Sequence, residues 1–155
     1  MSPIRNLCFF KTLINQILFK KMSDSSQKPR NSAVIITIGD ELLSGRIEDQ
    51  NTGFLIKQLN LQGISIECCL IIPDDVEIIA NVISVYAPKT TWLFLSGGLG
   101  PTHDDVTLEG VAKAFDTVLE RKSEISEFIE SRYGDRCTED HLKMADIPKG
   151  AELIK

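Results

Sequence analysis

Ser96-Gly97-Gly98-Leu99-Gly100-Pro101-Thr102-His103-Asp104-Asp105-Val106-Thr107 is the stretch that decides the fold. It directly follows the apolar run Thr91-Trp92-Leu93-Phe94-Leu95 and leads into Val106, Leu108, Val111, Ala112 and Phe115 at helical spacing. The string therefore reads as a strand, a glycine turn and a helix that begins near Asp105. Glycine at three of the four positions 97–100 removes Cβ atoms from the turn, so the backbone adopts φ > 0 freely and approaches a ligand closely. The helix start adds free amide donors and the positive end of a dipole, which favour a phosphate. Asp104 and Asp105 stand in the same place and would repel a bare phosphate. A divalent cation between carboxylates and phosphate resolves that conflict, and Mg²⁺, Mn²⁺ and Co²⁺ all accept these oxygen donors. A second reading stands beside it: Asp104 or Asp105 caps the helix, with Glu109 in its first turn.

Upstream, Ala33-Val34-Ile35-Ile36-Thr37-Ile38 is a near-continuous β-branched run suited to a strand buried on both faces. It ends at Gly39-Asp40-Glu41-Leu42-Leu43-Ser44-Gly45, which sets two carboxylates at the carboxyl end of that strand, where open α/β sheets keep their ligands. A solvated turn is the plainer reading of the same residues. Arg46, Asp49 and Asn51 follow in a polar stretch within reach of that pocket, and Asp49 or Asn51 serves as a helix cap, capping being the reading adopted for Asn51. A helix is expected from Thr52 to about Gln62, a strand over 64–72, a helix from Asp74-Asp75 to about Ala87 and a strand over 91–95. Asp74 and Asp75 are assigned to the start of that helix rather than to a ligand. This alternation predicts an α/β fold of three αβα layers around a mainly parallel, doubly wound sheet. Further helices are expected around Ile125–Phe128 and from Thr138, where Thr138 is the cap and His141 is exposed, with a turn at Leu119 and at Pro148–Ala151 and a strand beginning at Leu153-Ile154. Arg121, Lys122, Arg132 and Arg136 read as surface charges, one of them available to face a phosphate.

The glycine stretch resembles the signature of the molybdopterin-binding domain family, T-G-G-T-G, four variable residues, then D-V-T. Ser96 stands for the first Thr, Asp105-Val106-Thr107 match the ending, Leu99 replaces the second Thr, and Asp104 stands where many members have Arg. These departures are similar to the branch G-G-[LVI]-G-P-T-x-D-D-[LV]-T, found in competence-damage-inducible proteins and in the N-terminal domain of eukaryotic FAD synthases, and His103 matches the latter form. The resemblance covers roughly residues 33–154 and implies a molybdopterin, FAD or ADP-ribose-like ligand. It further implies a metal-dependent nucleotide pyrophosphatase, with Asp104 and Asp105 holding the metal and Asp105, Asp40 and Glu41 catalytic, Asp40 or Glu41 as further ligand or general base. Ser96, Gly97, Gly98, Gly100, Thr102 and Thr107 would line the ligand, and His103 would donate to a leaving oxygen. A non-catalytic module that binds molybdopterin or a nucleotide, or one serving FAD or molybdenum-cofactor biosynthesis, is the alternative. The resemblance also implies a homo-oligomer, since family members often assemble as trimers, and members continue past Leu153 with a further strand, a glycine- and proline-rich segment and a last helix, so the domain, residues 33–155, is expected to be incomplete at its C-terminal end. The second domain of the FAD synthases and the amidase domain of the competence-type proteins are not expected here.

Composition bounds the rest. The 155 residues suit one domain, and 43% hydrophobic with 25% charged is ordinary for a globular chain. A net charge of −5 argues against a nucleic-acid binder, so anionic ligands must be met locally. Cys8, Cys68, Cys69 and Cys137 show no C-x-x-C spacing, and a reducing, cytoplasmic compartment is the expectation. Residues 1–32 are basic and acid-poor, with Leu7, Phe10, Ile14 and Leu18 on one side of a helix and Lys11 and Asn15 on another. That is the pattern of a mitochondrial transit peptide, or of a simple extension ending in a linker over 23–30, and it is too interrupted to be a membrane span.

Overall fold

In a computed structural model, which describes residues 31–153 in full and the backbone of 7–9 and 16–20, the chain forms β1 (Leu7–Phe9), β2 (Gln16–Lys20), β3 (Ser32–Ile38), α1 (Asp40–Leu43), α2 (Gln50–Leu61), β4 (Ser65–Ile72), α3 (Val76–Tyr86), β5 (Trp92–Ser96), α4 (Thr107–Ala114), β6 (Leu119–Arg121), α5 (Ser123–Tyr133), α6 (Glu139–Lys143) and β7 (Asp146–Pro148). The central strand β3 is buried along its whole length and pairs in parallel with β4 on one side and β5 on the other. Its side chains divide by parity, as a period of two requires. Ala33 and Ile35 pack with Phe94 against Leu55 and Leu59 of α2. Val34, Ile36 and Ile38 pack with Leu93 and Leu95 against Ile79 and Ile83 of α3 and Leu108 and Val111 of α4. The three layers expected from the alternation are thus present.

Chain order and strand order differ, and the difference locates the site. From β3 the chain moves outward to β4, then returns across β3 to β5. The strand order reverses between β3 and β5, and it is outside the carboxyl ends of strands at such a crevice that open α/β sheets bind their ligands. Gly39-Asp40-Glu41 leaves one strand at that point and the glycine loop leaves the other.

Two expectations are corrected. Residues 7–9 and 16–20 are strands, not parts of a helix: β1 pairs with β2, and β2 runs antiparallel along β5 from Gln16 opposite Ser96 to Lys20 opposite Trp92. An open edge of β5 would present a row of unpaired N–H and C=O groups, and this pairing satisfies them. At the other end of the chain Leu119 opens a strand rather than a turn, and the late strand ends at Pro148 rather than beginning at Leu153, with β6 and β7 antiparallel and Leu119 opposite Pro148. Arg121 closes that pair by donating to both carboxylate oxygens of Asp146 at 2.8 Å, and it also pairs with Glu139. The expected linker at 23–30 lies outside the described residues, as does Ile154.

Candidate functional site

The glycine loop is held from within. Gly97 and Gly98 adopt φ of 98° and 59°, and a methyl at Gly97 would overlap the carbonyl oxygen of Ile38, the last residue of β3. A methyl at Gly98 would overlap the Thr107 hydroxyl and come 3.0 Å from Oδ1 of Asp74. The chain returns through Thr107, whose hydroxyl donates to the Gly97 carbonyl at 2.9 Å and whose N–H donates to the Gly98 carbonyl at 3.1 Å. Ser96 and Thr107 are both fully buried, so they brace the loop, while Gly97, Gly98 and Gly100 form its half-buried rim and Thr102 is exposed.

The two aspartates of the loop do different things. Oδ2 of Asp105 accepts from the Thr102 N–H at 2.9 Å and from the Thr102 hydroxyl, closing the turn 102–105. The helix starts at Thr107, later than expected, and the residue before it, Val106, makes no side-chain cap. Neither aspartate caps α4, because the turn has already taken the Asp105 carboxylate. Asp104 is exposed, with its carboxyl held below the ordinary range by the Thr102 hydroxyl, with smaller help from a backbone amide and His103. His103 is itself exposed, with Nδ1 3.9 Å from Asp104 Oδ1.

Across the crevice, Gly39 N–H donates to the Ile72 carbonyl at 3.0 Å and Asp40 N–H donates to Oδ2 of Asp74 at 2.9 Å. Asp74 therefore belongs to the site, whereas Asp75 alone caps α3 by accepting from the Ile78 N–H at 2.9 Å. The sequence pattern assigns both aspartates to the helix start, and only the hydrogen bonds separate the cap from its neighbour. Burial pushes the Asp74 carboxyl above its ordinary range. The Asp40 amide opposes that shift, and the neighbouring charges of Glu41, Asp40 and Asp104 add to it.

The polar stretch before α2 also resolves. Asp49 is the cap, accepting from the Thr52 N–H at 3.0 Å. Burial alone would raise its pKa, but the Thr52 hydroxyl and amide and the Thr37 hydroxyl outweigh burial and hold it low. Asn51, assigned to capping, instead donates from Nδ2 to the Ser96 hydroxyl oxygen at 2.9 Å. Of the expected surface cations, Arg132 and Arg136 are exposed, while Arg121 is paired as above and Lys122 with Glu120. Lys143 is the cation beside the loop: its ammonium lies 3.1 Å from Glu109 Oε1 and donates to the Asp105 carbonyl at 3.5 Å. With Leu99, Leu108, Leu119 and Met144 it lines a cleft under Gly98 and Gly100. Thr138 caps α6 as expected, its N–H donating to His141 Nδ1 at 3.2 Å, and His141 is half-buried against Tyr133 rather than exposed.

Residues 34–150 match the model of a family described as a probable molybdopterin binding domain. The chain belongs to this family. Among relatives of the molybdopterin-binding domain, a Pyrococcus furiosus protein is 42% identical over 134 residues, covering 79% of this chain and 53% of its own length. A CinA-like protein of Citrifermentans bemidjiense is 38% identical over 124 residues, covering 77% of this chain and 30% of the relative. The chain thus spans about half the length, or less, of the curated relatives it matches. Among solved structures, the protein CinA of unknown function from Thermoplasma acidophilum aligns with TM-score 0.70 and 33% identity over 77% of this chain and 71% of that one. The molybdopterin biosynthesis enzyme MoaB of Thermus thermophilus aligns with TM-score 0.50 and 17% identity over 72% and 69% of the two chains, a likeness of fold. The molybdopterin-binding domain therefore lies with the CinA branch that Leu99 and Asp104 indicate. Among the described residues it has no helix long and apolar enough to cross a membrane.

Proposed function

We propose that the domain binds a small phosphate ester of the molybdopterin or dinucleotide class at the glycine loop and, with a divalent cation, hydrolyses the pyrophosphate of FAD or an ADP-ribose-like dinucleotide. The observation that carries this reading is that the acidic turn and the glycine loop meet at Asp74, whose Oδ2 accepts from the Asp40 N–H at 2.9 Å and whose Oδ1 lies 3.0 Å from where a methyl on Gly98 would stand, with the charges of Glu41, Asp40 and Asp104 adding to burial in raising its carboxyl. Like charges so gathered are relieved by a cation. The donors are hard oxygens, which fit Mg²⁺. Among the described residues no three acidic, histidine or cysteine side chains stand ready to hold an ion. That suits a cation bound by one or two carboxylates together with the phosphates of its substrate. Asp104 and Asp105 would hold it, and when bound it supplies charge neutralisation at the phosphates.

The chain's own groups supply the rest. Amides of Gly97, Gly98 and Gly100 donate to the phosphate oxygens, where charge develops. Asp40 or Glu41 takes the proton of the attacking water. A phosphorus–oxygen bond of the bridge breaks, so FAD and water yield FMN and AMP. Incubating the chain with FAD and, separately, ADP-ribose, with each of Mg²⁺, Mn²⁺ and Co²⁺, should release AMP detectable by chromatography. Asp105→Asn keeps an acceptor for the Thr102 amide but removes the charge, and should abolish metal-dependent AMP release without unfolding the chain. Turnover retained in that variant sinks the assignment.

One observation favours a second reading. The Asp105 carboxylate is already committed to Thr102, as a rigid cradle without chemistry requires. Saturable binding of either dinucleotide with no AMP formed supports that binding module.

A further inference from the structure

The geometry points to Asn51 as a positioning residue that sets the glycine loop through Ser96, an inference that rests on reading that loop as the ligand cradle. Two polar rungs tie the first turn of α2 to the sheet. In one, the Thr37 and Thr52 hydroxyls lie 2.8 Å apart. Thr52 gives its proton to Asp49, and the Thr37 hydroxyl faces the same carboxylate. In the other, the Asn51 amide reaches back over the turn and donates to Ser96 Oγ at 2.9 Å. Side chains in a first helical turn lean toward the helix N-terminus, which is what carries this amide to the end of β5.

The second rung ends on a residue that has no other access to a donor from solvent, since Ser96 is fully buried. A buried hydroxyl oxygen that loses its donor is left short of a hydrogen bond with no water to replace it. Ser96 is also the last residue of β5, and the next carbonyl along, that of Gly97, accepts the Thr107 hydroxyl. The connection therefore runs Asn51, Ser96, Gly97, Thr107: a helix on one face of the sheet holds the start of the loop, and α4 on the other face holds its return. Asn51 touches the loop's support rather than a substrate, so its role is to fix where the Gly97 and Gly98 amides point.

The test reads the Thr107 amide, which donates to the Gly98 carbonyl, by hydrogen exchange in the full chain, together with ADP-ribose affinity in Mg²⁺ by calorimetry. Asn51→Ala should lower the protection of the Thr107 amide about tenfold and weaken ADP-ribose by a similar factor, with the circular dichroism of the fold unchanged. Asn51→Leu keeps the volume without the amide, should lose the protection as the Ala variant does, and keeps the test open if the Ala variant does not fold. Asn51→Asp is the conservative rescue: the Ser96 hydroxyl is donor as well as acceptor and can turn its proton to the new carboxylate, so the link is kept with its direction reversed. Thr107 protection in the Asp variant should stay near the wild-type value. A residue that only filled space would be replaced as well by Leu as by Asp. Unchanged Thr107 protection in the Ala and Leu variants overturns the proposal. If the wild-type chain binds no ADP-ribose while the protection follows this pattern, the positioning role stands and the proposed function falls.

Discussion

The two turns at the crevice are built on opposite plans. The glycine loop after β5 is organised by shape: its bracing residues Ser96 and Thr107 are fully buried, and its backbone lies against Ile38 with no room for a side chain at Gly97. The acidic turn after β3 is organised by charge: Asp40 is exposed, and the bonds that draw the turn toward β4 are two, from Gly39 N–H to the Ile72 carbonyl and from Asp40 N–H to Asp74. A cradle for phosphate oxygens must keep its amides fixed before the ligand arrives, since reorganisation at the moment of reaction costs rate. Carboxylates that share a cation with a ligand need the reverse, freedom to turn toward it. The comparison predicts that substitutions in the first turn cost more stability than those in the second.

Gly97→Ala tests this most severely. The substitution forces an L-residue to φ 98° and drives a methyl into the Ile38 carbonyl, so unfolding free energy should fall by about 3 kcal/mol, read from the urea midpoint at constant m-value. Gly45→Ala in the acidic turn is the matched control. Gly45 also has a positive φ, 71°, but nothing lies within 4 Å of its would-be Cβ, and about 1 kcal/mol is expected. Equal costs at the two glycines would remove the distinction. Thr107→Val is the next step down. Shape is kept while the hydroxyl that satisfies the Gly97 carbonyl is lost in a fully buried place, so about 2 kcal/mol should go, with little change at Asp40 in an amide spectrum.

Much of this plan was legible from the residues, and the rest was not for definite reasons. The β-branched run Ala33–Ile38 and the spacing of Val76, Ile79 and Ile83 differ in period, which separates strand from helix and yields the layers. The loop's glycines and the acids at 40 and 41 were legible because a strand end followed by such a turn has few structural uses. Asp74 was not, because a capping aspartate and a site aspartate are the same residue type one position apart. The partnership of Asn51 with Ser96 spans 45 positions and leaves no local trace. β7, Asp146-Ile147-Pro148, is too short and too polar at its start to show a period of two. Residues 7–18 carry a helical spacing, yet β2 over 16–20 follows the edge of β5 and β1 over 7–9 follows β2, a tertiary demand that local pattern does not contain.

Asp74→Asn gives the smallest effect and the sharpest distinction, because its sign is unusual. The Asp74 carboxyl is raised in the folded chain above its ordinary value of 3.8, first by burial and then by Glu41, Asp40 and Asp104. The fold therefore holds that proton more tightly than the unfolded chain does. This contribution to stability is complete below pH 3.8 and is lost as pH rises through the raised folded value, leaving a carboxylate that disfavours the fold at neutral pH. Asparagine keeps an oxygen for the Asp40 amide and removes the charge. Because Asp74 is only part-buried and solvent screens its neighbours, the gain at neutral pH should be modest, about 0.5 kcal/mol or some 2 °C in Tm, and absent at pH 3. The same variant should bind ADP-ribose with Mg²⁺ more weakly, so stability and binding move in opposite directions, as they do where a site is kept strained for its ligand. A fall in Tm at neutral pH would mean that the charged bond to the Asp40 amide outweighs the repulsion, and the acidic turn would then be held by structure, as the glycine loop is.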